Sequence, residues 1–317
     1  MAMRLHLLCT MLFLFLLIIP ITEAKIVIVV SVDWEGRNLT KANLDAIKKF
    51  RSEFPEIMMQ HFLNPAYYTE NIEPISNPAA ITRKIKSVLL PGDEQGLHIH
   101  AWKNLFTKAK AHYQSSPNFF DSSDDEAGAT VPLWAYTKEE LSAVFALGIR
   151  ILTSNGFKRA TSFRAGGWQA SSIVIEALAE NKITLDSSAV PLAHLTYWHS
   201  FNLGKWVQQL WPNTTLFSQP FFHESTNVIE LPNNGCLADY VTGEGMLGDF
   251  KRLSKTATAS RSDLYYSIGF HQETAAEYLP RLRKAILLIR DFAKQEKIAY
   301  EFATFPLSFT SLLSTNH

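Results

Sequence analysis

Several side chains able to do acid–base or metal chemistry fall where apolar runs of the chain end. Asp33 and Glu35 follow Ile26-Val27-Ile28-Val29-Val30-Ser31-Val32, His98 and His100 alternate with Leu97 and Ile99, and Arg164 precedes Ala165-Gly166-Gly167-Trp168. Asp186 follows Ile183-Thr184-Leu185, and His271 follows Ser267-Ile268-Gly269-Phe270. Two neutral imidazoles and one carboxylate make an open catalytic zinc site with room for water. A His-x-His pair fits two hydrogen-bonded histidines on a strand edge equally well. An arginine at a strand end can grip a carboxylate with two nitrogens, or form a surface ion pair. A histidine paired with a carboxylate such as Asp186 can act as a general acid. Alone, Asp33 and Glu35 read as a helix cap and a solvated acid.

The elements that must carry these groups follow from periodicity. The apolar run before Asp33 predicts a strand buried on both faces, with Asp33 and Glu35 on one side and Trp34 on the other. Further strands are predicted at 57–63, 95–101, 161–164, 183–185, 228–231, 264–270 and 300–304, and helices at 39–54, 78–90, 171–180 and 277–294. Thr137-Lys138-Glu139-Glu140 is a capping box opening a helix that runs to about Ser154 and stops at Asn155-Gly156. Residues 103–135 are the least regular, with a polar, acidic loop at 121–126, and residues 191–226, rich in aromatics and prolines, are hard to assign. Alternating strands and helices with no repeat or linker predict one α/β domain over 25–317, a closed or nearly closed barrel, with a wound open sheet as the alternative. In a parallel barrel the C-terminal strand ends meet at one face, so Asp33, Glu35, His98, His100, Arg164, Asp186 and His271 are expected to converge in one pocket.

The 317 residues are 47% hydrophobic and 19% charged, enough apolar content for a sizeable core. Thirty basic residues balance thirty acidic ones, which argues against a general nucleic-acid binder. Arg4, an apolar run from about Leu7 to Ile21 and Thr22-Glu23-Ala24 read as a signal peptide over 1–24. Cleavage after Ala24 would give a secreted or periplasmic protein with no stable membrane insertion; an uncleaved anchor is the alternative. Cys9 lies in that leader, so Cys236 alone cannot form an internal disulfide.

In order and content these strand ends resemble the polysaccharide deacetylases, the NodB-homology enzymes of carbohydrate esterase family 4. The motifs are Ser31-Val32-Asp33-Trp34-Glu35-Gly36, Gly96-Leu97-His98-Ile99-His100-Ala101-Trp102, Phe163-Arg164-Ala165-Gly166-Gly167-Trp168, Leu185-Asp186-Ser187-Ser188 and Gly269-Phe270-His271. The resemblance implies an irregular (β/α)7 barrel and metal-dependent removal of an acetyl group from an N-acetylated glycan, an amide hydrolysis outside peptide chemistry. It implies a divalent metal, zinc first, held by Glu35, His98 and His100. Asp33 would be the general base held by Arg164, and His271 the general acid tuned by Asp186. Where the family places its second histidine this chain has Trp102, and Glu35 stands for the family's metal aspartate. The glycines permit close backbone approach. Trp102, Gly166, Gly167 and Trp168 are expected to meet substrate, and Tyr197, Trp198 and Trp206 are further aromatics able to stack on sugar faces. Two other readings stay open: a non-catalytic glycan-binding protein on the same barrel, and a hydrolase of another bond. Asp33 and Glu35 on one strand lie too close to flank a glycosidic bond, which disfavours glycosidases.

Overall fold

The computed structural model describes residues 24–70, 77–120, 126–224 and 226–305. The leader expected over 1–24 and the acidic loop at 121–126 fall almost wholly outside them. Among the described residues, nine strands form one sheet: β1 (Lys25–Asp33), β2 (Met59–Leu63), β3 (Glu94–Ile99), β4 (Ser162–Ala165), β5 (Leu185–Asp186), β6 (Phe221–Phe222), β7 (Ile229–Glu230), β8 (Leu264–His271) and β9 (Ala299–Phe302). The helices are α1 (Lys41–Glu53), α2 (Pro78–Lys86), α3 (Lys103–Lys108), α4 (Lys138–Ser154), α5 (Ser172–Glu180), α6 (Asn202–Leu210), α7 (Gly243–Ser260) and α8 (Ala275–Glu296).

Seven parallel strands run in the order β7-β5-β4-β3-β2-β1-β8; β6 adds antiparallel to β7, and β9 pairs with the N-terminal half of β1. This is the irregular seven-stranded barrel expected. The ladder does not close strand to strand. Residues 233–238, which follow β7, fill the gap: Gly235 N donates to Ser267 O (2.9 Å), Gly269 N to Cys236 O (3.1 Å) and Ala238 N to Gly269 O (2.8 Å).

Alternation along the strands sorts the side chains. On β1 and just beyond it, Ile26, Ile28, Val30, Val32 and Trp34 face the helix layer. Val29 faces inward and packs with Phe62, Leu185, Ile229, Leu231 and Phe305, an apolar plug inside the curl. The next inward positions are Ser31, Asp33 and Glu35, so the polar site sits directly on that plug. Trp34 is fixed from outside by a buried chain: its indole N–H donates to His61 Nδ1 (3.2 Å), His61 Nε2 faces Asp93 Oδ2 (3.3 Å), and Asp93 Oδ1 meets Arg51 Nη2 (2.8 Å). Burial lowers the His61 pKa despite Asp93, so the ring is neutral, as accepting the indole proton requires.

Thr137 and Glu140 form the expected capping box on α4, and Gly156, at φ +77°, ends its turn. Helix α7 was not legible in advance. Its first turns carry Gly243, Gly245 and Gly248, which blur the pattern of Met246, Phe250, Leu253 and Ala257 buried against α8. The segment 191–226 contains α6 and the small β6 hairpin strand.

Candidate active site

Strand register brings the groups together. Asp33 on β1 lies beside His271 on β8, and His98 on β3 lies beside Arg164 on β4. Glu35 Oε1 is 3.2 Å from His98 Nε2, and Glu35 Oε2 is 2.9 Å from His100 Nε2. The far nitrogen of each ring is committed: His98 Nδ1 to Arg164 O (2.8 Å) and His100 Nδ1 to Ala129 O (2.7 Å). A carbonyl only accepts, so both Nδ1 atoms carry hydrogen and both Nε2 atoms are aimed at the carboxylate. That is the orientation second partners impose on metal-ligating histidines. Burial works to raise the Glu35 pKa, but the charge and hydrogen bond of His100, with His98 and His271, hold it well below the carboxylate range.

Arg164 is wholly buried. Its Nη1 donates to Asp33 Oδ1 (2.8 Å) and Ser31 Oγ (2.8 Å), Nε to Ser187 O and Nη2 to Ser187 Oγ. The guanidinium therefore meets Asp33 through one nitrogen rather than two, and spends the others fixing itself. His271 presents Nε2 to Glu35 Oε1 at 3.6 Å, and its Nδ1 is 3.0 Å from Asp239 Oδ1. Burial opposes charging the ring, yet the Asp239 charge and hydrogen bond, with Glu35 and Asp33 beyond, raise its pKa to about 10. Asp239 is itself oriented by the His271 N–H (3.2 Å) and the Thr274 hydroxyl.

The partner of His271 is thus Asp239, not Asp186. Leu185 occupies the inward position on β5, so its neighbour Asp186 projects from the opposite face, where it pairs with Glu230 and Ser188. Asp239 escaped notice because Cys236-Leu237-Ala238 makes only one bridge, to Gly269 on β8. The signal was there: a short apolar run ending in an acid, as at the other strands.

A pocket of about 230 Å³ opens above these groups, lined by Asp33, Glu35, His98, His100, His271 and Glu273 on one side and by aromatics on the other. Glu273, also missed, accepts the Glu35 backbone N–H (3.1 Å) and the Tyr67 hydroxyl. Burial and the neighbouring Glu35 charge raise its pKa to about 7. Two expected contacts lie behind the site instead. Trp102 does not line the pocket; its indole N–H donates to Glu35 O (2.8 Å), alongside Asn64 Nδ2 (3.0 Å). Gly166 makes room for His100, whose ring a Cβ would approach to 2.6 Å. Gly167 and Trp168 do line the pocket, with Phe119, Phe120, Trp198, Leu203 and Tyr240. Tyr197 is exposed and Trp206 packs on Trp134 and Phe119, both outside the lining.

No protein-family model matches the chain, and no curated protein matches it in sequence. Solved structures do. A candidate polysaccharide deacetylase from Mycobacterium smegmatis superposes with a TM-score of 0.55 at 9% identity, covering 92% of each chain. Puue allantoinase superposes with a TM-score of 0.53 at 12% identity, covering 93% of this chain and 92% of that one. A family 4 carbohydrate esterase from Streptomyces lividans, in complex with acetate, aligns at 0.40 and 8% identity over 87% of this chain and 91% of that one. With its curled, mostly parallel sheet, the chain has the barrel fold shared by the deacetylase and allantoinase structures.

Proposed function

We propose that this protein is a metal-dependent hydrolase that removes N-acetyl groups from a glycan. The observation that carries the reading is the Glu35–His98–His100 cluster, both imidazoles oriented by backbone carbonyls, set between Asp33–Arg164 and His271–Asp239. Two Nε2 atoms facing a carboxylate need protons or a cation between them, and a His2Glu set with an open side suits zinc. A divalent cation held by Glu35, His98 and His100 would supply a water acidic enough to lose its proton near neutral pH and would polarise the amide carbonyl. Asp33, fixed by Arg164, accepts the water proton as oxygen bonds to the acyl carbon. His271, charged at neutral pH and held by Asp239 through Nδ1, gives the Nε2 proton to the leaving nitrogen as the C–N bond breaks. Gly167 and Trp168 border the pocket that would take the acetamido sugar. The test is free acetate released from N-acetylated oligosaccharides in the presence of zinc. Wild type should release it, and His271→Ala should lose about 10²–10⁴-fold; no acetate, or equal rates, ends the reading.

A second reading, hydrolysis of a small non-glycan amide, is favoured by the lining. Phe119 and Phe120 from the segment after α3, and Trp198 and Leu203 from the 191–226 segment, put apolar surface around the site, which suits a small amide. Turnover of small cyclic or acyl amides in preference to acetylated sugars would select it. We also infer export: the leader at 1–24 predicts a mature chain beginning at Lys25, which N-terminal sequencing checks. Among the described residues, no helix is long and apolar enough to cross a membrane.

A further inference from the structure

A second cluster lies on the opposite face of the sheet from the pocket. Asp186 and Glu230 are directly opposed on the paired strands β5 and β7, and both are fully buried. His223, at the end of the β6 strand, reaches in with its Nε2 3.3 Å from Glu230 Oε2. Ligand atoms of all three lie within 4.8 Å of one another. The carboxylates are arranged alike. Asp186 Oδ1 accepts from Ser188 Oγ (2.7 Å), and Glu230 Oε1 accepts from Ala189 N (2.7 Å). Each carboxylate therefore has one oxygen tied to the loop at 187–189 and turns the other to the cluster. Asp186 Oδ2 is buried with no hydrogen-bond donor.

We propose that Asp186, Glu230 and His223 form a second metal site, structural rather than catalytic, that takes a zinc-class divalent cation. Two buried carboxylates facing each other need a positive charge or a proton between them. Burial, and for Asp186 the adjacent Glu230, raises both pKa values, that of Glu230 to about 7, which shows how poorly the pair tolerates its own charge. A shared proton would satisfy the carboxylates alone. A second proton, on His223 Nε2, would fill its 3.3 Å contact with Glu230 Oε2; a single cation would replace both protons, met by one nitrogen and two carboxylate oxygens whose far oxygens are already hydrogen-bonded. Calcium and magnesium prefer all-oxygen cages, so the histidine selects zinc or a neighbour in the first transition row. His223 is partly exposed, which gives the ion an entry path. The cation would pin the β6 hairpin to the sheet. It would also brace the loop whose Ser187 holds Arg164, and through Arg164, Asp33.

The test is zinc per chain, by elemental analysis of the purified full chain loaded with zinc and then freed of excess. Glu230→Gln keeps the acceptor for Ala189 but removes the charge. It should lower zinc content by one equivalent, in wild type and equally in a His98→Ala background where the pocket cluster is disabled. His223→Ala should do the same. Should Glu230→Gln misfold, a second measurement stands on its own: zinc at a hundredfold excess over its Kd should raise the Tm of His98→Ala by about 5 °C. Equal zinc in His98→Ala with and without Glu230→Gln, or a Tm indifferent to zinc, means a shared proton joins the pair and overturns the proposal. Because the readout is the His98→Ala background, it is separate from the fate of the pocket's own metal.

Discussion

Among single residues, Asp239 has the clearest expected consequence. Against burial, and with help from the Glu35 and Asp33 charges, it brings the His271 pKa up from the ordinary 6.5 to about 10, so the folded protein favours the charged ring through neutral pH. Loss of that form sets an alkaline limb. In Asp239→Asn the limb should move down from near pH 10 towards 6.5, in profiles of kcat/KM against pH. An unmoved limb would remove His271 from the acid role. Gly166 makes a different point about size. Adding one methyl in Gly166→Ala must displace the His100 ring that it would meet at 2.6 Å. Metal affinity at the pocket should fall about 10–100-fold, measured by competition with a chelator. A fold effect alone would leave affinity intact and lower only the Tm.

Among elements, period-two alternation decided what could be read in advance. Asp33, Glu35, His98, His100, Arg164 and His271 were legible because each ends or interrupts an apolar run, and inward positions of parallel strands converge at one mouth. Asp186 followed the same rule, and the rule itself displaced it: with Leu185 inward on a two-residue strand, the next residue must face out. One position of phase, invisible without the register, separates the two faces. Asp239 and Glu273 were missed because they sit on backbone that is neither helix nor extended ladder, a one-bridge segment and a short turn after β8. Trp102 was read as an aromatic surface, but its polar edge reaches the Glu35 carbonyl. A buried indole needs an acceptor, which pattern alone does not locate.

For the whole molecule, stability and site geometry share the Trp34–His61–Asp93–Arg51 chain behind β1. Asp93 also accepts from Met59 N and Leu90 N, so Asp93→Asn strips charge from a buried arginine's partner. Denaturant unfolding at pH 7 should show a loss of about 3–5 kcal/mol. Burial alone would raise the Asp93 pKa, but His61 and the backbone donors bring it below the ordinary 3.8. Its contribution is present above 3.8 and is lost as pH falls through the lower, folded value, so wild type and Asp93→Asn should converge only in strong acid. A gap already closed at pH 5 would contradict this account. The seam at 233–238 has a consequence of another kind. Seven strands hold most of the active groups through continuous ladders, but Asp239 hangs from the stretch that bridges the gap. That stretch is buried and is held to β8 by its own backbone bonds and by the Asn233 and Asn234 side chains, while Arg281 grips the Ala238 and Asp239 carbonyls. The join that completes the wall of the barrel is therefore also the mount on which the counter-charge of His271 is carried.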